Sequence, residues 1–196
     1  NISIKELENV EEGELKNILN NPRLKHNPFA QVNCGLAKTG FLLNVENEGC
    51  SDPINIVYGQ DTNIDSSSFH QTHNIYMLGP NSKLTVFERF WESIFLDDYH
   101  SSVSVEKQIA SFRNTVSQSF LSEGAQLKKY TLGDVSRNEM CKSINTEFVQ
   151  QKKNSVSTLY RFYFADAKEC GVEGTIRNNI QIEFDETGAK CDVNAI

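Results

Sequence analysis

Residues 73–90 read HNIYMLGPNSKLTVFERF. The stretch holds two apolar runs, Ile75–Leu78 and Leu84–Phe90, joined by Gly79-Pro80-Asn81-Ser82. Those four residue types in a row spell a tight turn. Ile75-Tyr76-Met77-Leu78 is apolar at every position, which predicts a strand buried on both faces. After the turn, Leu84 and Val86 share one face, while Thr85, Phe87 and Trp91 share the other. Glu88 falls on the parity of Leu84 and Val86. A buried carboxylate needs a partner, and Arg89 sits on the opposite face. The expectation is therefore a bulge after Phe87 that turns Glu88 outward.

The turn chemistry recurs. Ser82-Lys-Leu84-Thr-Val86, Ala125-Gln-Leu127-Lys-Lys129 and Ala189-Lys-Cys191-Asp-Val193 each place a small residue, any residue and an apolar residue after a turn. The starts at 82, 125 and 189 give no fixed period. Strands with clean alternation follow later. Tyr160, Phe162 and Phe164 share one face, as do Ile180, Ile182 and Phe184. Phe41–Val45 and Ile54–Tyr58 read as earlier strands. Many short strands with recurring turns predict an all-β stack, with a parallel β-helix and a β-sandwich as the two candidates.

Upstream, residues 3–21 read as a helix. Ser3 and Glu6 fit a capping box, and Leu7, Val10, Leu15, Ile18 and Leu19 form a stripe broken by Gly13. Pro22 and Asn27-Pro28 end it, and strand signals dominate from Phe29 onward. Residues 1–26 are thus a helical lead-in to a core over 27–196.

Composition narrows the function classes. The net charge of −7 supplies no basic footprint for nucleic acid, and Lys128-Lys129 and Lys152-Lys153 read as solvated edges. No apolar run is long enough to span a membrane, and residues 1–20 mix polar and apolar types with no apolar core of a signal peptide. The chain starts at Asn1 instead of Met and reads as a fragment from which a targeting segment can have been lost. Five cysteines, Cys34, Cys50, Cys141, Cys170 and Cys191, are widely spaced and odd in number, which fits reduced thiols. A cytoplasmic protein is expected, or one of a plastid-type organelle if a leader was removed.

Candidate chemistry is sparse. His70 and His73 stand three apart, a spacing that chelates a metal on a helix but diverges on a strand. Asp97-Asp98-Tyr99-His100 is the densest titratable run, and Asp97, Asp98 and His100 could serve a polysaccharide-acting β-helix enzyme. Cys191 holds the apolar position of its repeat and reads as core. Cys34 and Cys141 are the better metal-ligand candidates. No phosphate-binding loop, dinucleotide fingerprint or nucleophile elbow occurs, so nucleotide chemistry would have to come from a partner.

Several stretches, in order, resemble the SufB/SufD family of the SUF iron–sulfur cluster assembly system. Asn27-Pro-Phe29-Ala-Gln-Val-Asn33 with Gly40–Val45 looks like the family's opening "NPF-A-x-x-N … G-hydrophobic" motif. Asp52-Pro53-Ile54 followed by Tyr58 is similar to its "P-I-hydrophobic" strand. His73–Phe90 resembles its "small-x-L-x-hydrophobic-x-E" strand, and Glu123–Tyr130 its "E-x-A-x-L-x-x-Y" rung. Glu173–Val193, with Arg177, Asn179-Ile180 and Gly188-Ala189, looks like its "R-x-D/N-I … G-x-G-A" passage. The likeness leans to the SufD branch.

The resemblance implies a right-handed parallel β-helix core and a non-enzymatic scaffold. That scaffold would pair with a SufB-like paralogue through the β-helix. A SufC-like ATPase would bind through a C-terminal region absent from this sequence. No catalytic or cofactor-binding residue is then expected in this segment, the iron–sulfur cluster being handled by the complex. The family's functional histidine lies in that absent region, and Cys34 is not carried over as a ligand from the motif ending at Asn33. Open ladder edges make a homodimer of the segment a further candidate assembly.

Overall fold

The computed structural model describes residues 1–19, 21–46, 52–60, 68–92, 110–135, 140–165 and 175–195. Among them the chain winds as a parallel β-helix built from two facing sheets. Sheet A carries β2 (Thr39–Val45), β4 (Ser68–Leu78), β6 (Ala110–Leu121), β8 (Met140–Gln151) and β10 (Thr175–Phe184), all parallel. Sheet B carries β3 (Ile54–Gln60), β5 (Lys83–Glu92), β7 (Gln126–Val135), β9 (Val156–Ala165) and β11 (Lys190–Ala195), also parallel. Odd and even strands alternate between the sheets, so each rung contributes one strand to each. The short strand β1 (Ile2–Glu6) pairs antiparallel with β2 and caps sheet A.

The quoted stretch is one rung. It runs up β4, round the turn at 79–82 and along β5. The turn stacks on its counterparts: the amides of Asn81, Gly124 and Asn154 donate to the carbonyls of Glu123, Lys153 and Thr187. The four corner residues Asn81, Gly124, Asn154 and Gly188 are all left-handed, with φ of 56°, 68°, 55° and 79°. Asn and Gly alternate for a steric reason. A Cβ on Gly124 or Gly188 would run into the side-chain oxygen of Asn81 or Asn154 on the neighbouring turn.

The corners also show why the repeat had no period. Register aligns Lys83, Gln126, Val156 and Lys190, so Ser155-Val-Ser157 is a fourth copy between the second and third. Its Ser157 replaces the apolar residue that marks the other three. Ser157 is satisfied in the core by donating to Gln151 Oε1 at 2.8 Å.

The core between the sheets takes Phe41, Leu43, Val45, Tyr76 and Leu78 from sheet A, and Leu84, Val86, Leu127 and Leu159 from sheet B. Tyr76 and Leu78 point inward. Ile75 and Met77 point outward, under Leu7, Val10, Leu15 and Ile18. The double burial of Ile75–Leu78 thus follows from a second layer covering sheet A.

That layer differs from the single helix expected over 3–21. Residues 2–6 form β1, Leu7–Asn9 is a 3-10 turn, and the helix α1 spans Glu12–Leu19. Pairing with β2 outweighs the helical pattern of residues 3–6. A second departure follows. Pro28–Leu36 is a helix, α2, not the first of the strands. Asn27, read above as a helix stop, is its N-cap: Asn27 Oδ1 accepts from the amides of Phe29 and Ala30 at 3.1 and 3.2 Å. Pro28 then occupies the first helical position, where its missing N–H costs nothing. No helix among the described residues is long and apolar enough to cross a membrane.

Candidate functional site

The densest titratable cluster among the described residues lies inside the β-helix. Parity on β5 sends Leu84, Val86, Glu88 and Phe90 inward together, with no bulge at Phe87. Glu88 is only 4% exposed, so the expectation of an outward turn is overturned. Its partner comes from the next rung, where Lys129, 1% exposed, enters the core beside it. The reading of Lys128-Lys129 as a solvated pair therefore holds for Lys128 alone.

The charges form a line across the rungs. Lys129 Nζ lies 3.2 Å from Glu88 Oε2 and 3.0 Å from Glu147 Oε2. Arg161 continues the line, donating to Glu147 Oε2 at 2.9 Å and to Asn178 Oδ1 at 3.2 Å. Two carboxylates thus meet two cations, and hydroxyls fill the remaining sites. Ser117 Oγ accepts from Lys129 Nζ at 2.6 Å, and Thr131 donates to Glu88 Oε2 at 3.3 Å. Tyr76 and Tyr58 both donate to Glu88 Oε1. The ammonium of Lys129 also stands 4.8 Å from the centre of the Tyr76 ring. Burial, then the Glu88 charge, pushes both phenols well above their ordinary pKa, which keeps them proton donors.

Removing charges from water costs several kcal/mol per ion, so such a line persists only when every member is matched. This one is matched internally and sealed by both sheets. It offers no free nucleophile, and its chemistry is to hold successive rungs, from Tyr58 on β3 to Asn178 on β10, in one register.

A second polar cluster pins the outer layer to sheet A. Asn33 of α2 donates to the carbonyls of Thr72 and Asn114, and Asn27 donates to Thr146 Oγ1. Asn114 returns a bond to the carbonyl of Phe29. Arg177 on β10 stands 5.7 Å from the centre of the Phe29 ring. Arg23 pairs with Glu183 and Asp185 at the far end of the sheet. His73 lies at the centre of the cluster, fully buried on the outer face.

The other sequence candidates are dispersed. His70 and His73 lie on opposite faces of β4, as strand geometry requires. Cys34 is half-buried on α2 against Leu24, Ala30, Val116 and Phe148, and burial raises its thiol pKa to about 11. Cys191 is half-buried on β11, its thiol also raised by burial. Cys141 falls on β8, but its side chain lies outside the described residues, as do Cys50, Cys170, Asp97, Asp98 and His100. No group of three His, Cys, Asp or Glu among the described residues is placed to hold a metal ion.

Two surface features complete the inventory. A shallow groove of about 300 Å³ crosses the outer face of sheet A beside the corners, over Asn44, Met77, Phe120 and Gln150, with Lys152 as its ionisable residue. On sheet B, Phe87, Tyr130 and Tyr160 stack face to face at 4.6 and 4.8 Å. Each inner ring face is covered by the next rung, so the ladder glues rungs together instead of presenting faces to a sugar or base.

No protein-family model matches the chain, and no curated protein matches it significantly.

Proposed function

We propose that this chain is the β-helix segment of a SufD-like scaffold in an iron–sulfur cluster assembly complex. It pairs there with a SufB-like paralogue and works with a SufC-like ATPase. The ordered motifs support the family: their resemblance implies a parallel β-helix, which is the fold of the chain, and two of them meet where Arg177 lies over the Phe29 ring. One observation supports the role: the densest titratable cluster among the described residues is charge-matched inside the rod, where it holds strands in register.

On this reading the cluster under assembly is cargo of the complex, and the complex works in the cytoplasm. Affinity purification of the tagged full-length protein from its own cells tests the proposal. SufB-like and SufC-like subunits should be recovered together. Recovery of neither would sink it. Anaerobic reconstitution with iron and sulfide gives a second test, since a cluster absorbance retained by this segment alone would move the role from scaffold to carrier.

A further inference from the structure

Residues 7–19 and 21–37 lie across sheet A as a strap, and His73 lies under it with both ring nitrogens committed. Asn33 spends its two N–H groups on the carbonyls of Thr72 and Asn114, at 3.0 and 2.8 Å. Its Oδ1 is therefore the atom facing His73 Nδ1 at 2.8 Å, and Nδ1 must carry the proton. The opposite nitrogen is fixed by a longer chain of the same logic. The amide of Arg23 donates to Asn21 Oδ1 at 3.1 Å, which turns Asn21 Nδ2 toward Gln118 Oε1, also at 3.1 Å. Gln118 then presents its Nε2 to His73 Nε2 at 2.9 Å, with a second bond to the carbonyl of Ile18 at 3.4 Å. His73 Nε2 must be an acceptor. Two backbone-anchored chains, one through α2 and one through residues 18–23, thus demand a neutral imidazole.

We propose that the strap is an acid-sensitive latch: protonation of His73 Nε2 sets two donors against each other and releases residues 7–37 from sheet A. Turning the Gln118 amide would relieve the clash, but it would break the bonds to Asn21 and Ile18, both of which belong to the strap. The strain therefore falls on the strap whichever way the amide points. Release would bare the apolar outer face of sheet A, including Ile75, Val116 and Phe148.

Among the described residues, the surroundings offer His73 no compensating charge. β2 carries no ionisable side chain between Thr39 and Val45. The other ionisable residues of β4 and β6, His70, Tyr76 and Arg113, share the interior parity. On the strap, the Cys34 thiol stays protonated, Arg23 is paired with Glu183 and Asp185, and Glu12, Glu14, Lys16, Lys25 and His26 are exposed. Burial alone lowers the His73 pKa, from an ordinary 6.5 to about 4. The sign follows from linkage. The closed form refuses a proton that the open form accepts, so the latch holds above pH 6.5 and weakens as pH falls toward 4. Between pH 7 and pH 5 the opening equilibrium rises about 20-fold.

Hydrogen exchange of the full-length protein at pH 7 and pH 5, corrected for intrinsic rates, tests the latch. Amides of α1 and α2 should lose about 20-fold in protection while those of β5 and β7 hold theirs. His73→Gln should abolish the pH response of the strap. Gln118→Glu should reverse it, because protonated His73 then gains a carboxylate and the strap tightens in acid. The proposal fails if strap protection is the same at both pH values, or if strap and sheet B lose protection equally. It also fails if the response survives in His73→Gln or keeps its sign in Gln118→Glu.

Discussion

At the corner end of the β-helix, Leu78, Leu84, Leu121 and Leu127 meet between the sheets, and the rung of β4 and β5 presents nearly the same apolar surface as the rung of β6 and β7. Further along the strands of the same two sheets, Glu88, Lys129, Glu147 and Arg161 also point inward. The two ends share a backbone, a register and near-complete burial. They differ in what a misplaced strand would meet. Leucine opposite the wrong leucine loses little, because dispersion and area burial have no direction. Glu88 moved beside Glu147 would bury two like charges without a cation between them. The apolar end supplies cohesion, and the charged end supplies register.

The sharpest way to break that contrast is to remove the central cation. Lys129→Met should cost about 3–5 kcal/mol in denaturant unfolding, because it strands Glu88. Adding Glu88→Gln should recover part of the loss, since Glu147 keeps Arg161. A double variant no more stable than the single one would show that the line is not a matched set.

Leu127→Ala at the apolar end should cost about 2–4 kcal/mol, by transfer and cavity terms. The two losses should separate in a second background, where Glu88→Gln recovers part of the first and none of the second. Equal recovery of both would erase the distinction.

A smaller effect is expected at the corner. Gly124→Ala should cost about 2 kcal/mol through its left-handed backbone and the collision with Asn81. In an Asn81→Gly background the collision is gone, and the cost should fall to about 1 kcal/mol. Equal costs in the two backgrounds would show that the Asn/Gly alternation is not a steric pairing. The smallest effect belongs to the outer ladder on sheet B. Tyr130→Ala should lose about 1 kcal/mol of stacking, read as a shift in thermal midpoint.

Much of the rod could be read from residue order because its signals are local. The turn at 79–82, the alternation of Ile180, Ile182 and Phe184, and the all-apolar run Ile75–Leu78 are each signals carried within a few residues. The fourth repeat copy escaped because Ser157 is polar where its equivalents are apolar, and its bond to Gln151 is visible only once the rung is closed. α2 escaped for a different reason. Asn27-Pro28 serves equally as a helix stop and a helix start, and the segment after it has no long amphipathic run.

The candidate site was the least legible part. Glu88 was recognised as a burial problem, but Lys129 solves it from a different rung, and β-strand parity says nothing about which lysine arrives. The same holds for His73. The sequence excluded it as a co-ligand of His70, while its true neighbours, Asn33 and Gln118, come from a helix and a separate strand.

By itself, then, the sequence determined the unit of construction: short strands, left-handed corners and inward-facing apolar positions, all set by periodicity and turn chemistry over a few residues. Tertiary structure alone decided which charge meets which, and that the N-terminal segment covers sheet A. Those outcomes depend on stacking register and on contacts between residues tens of positions apart, where the energy of a pair exists only after the rungs have closed.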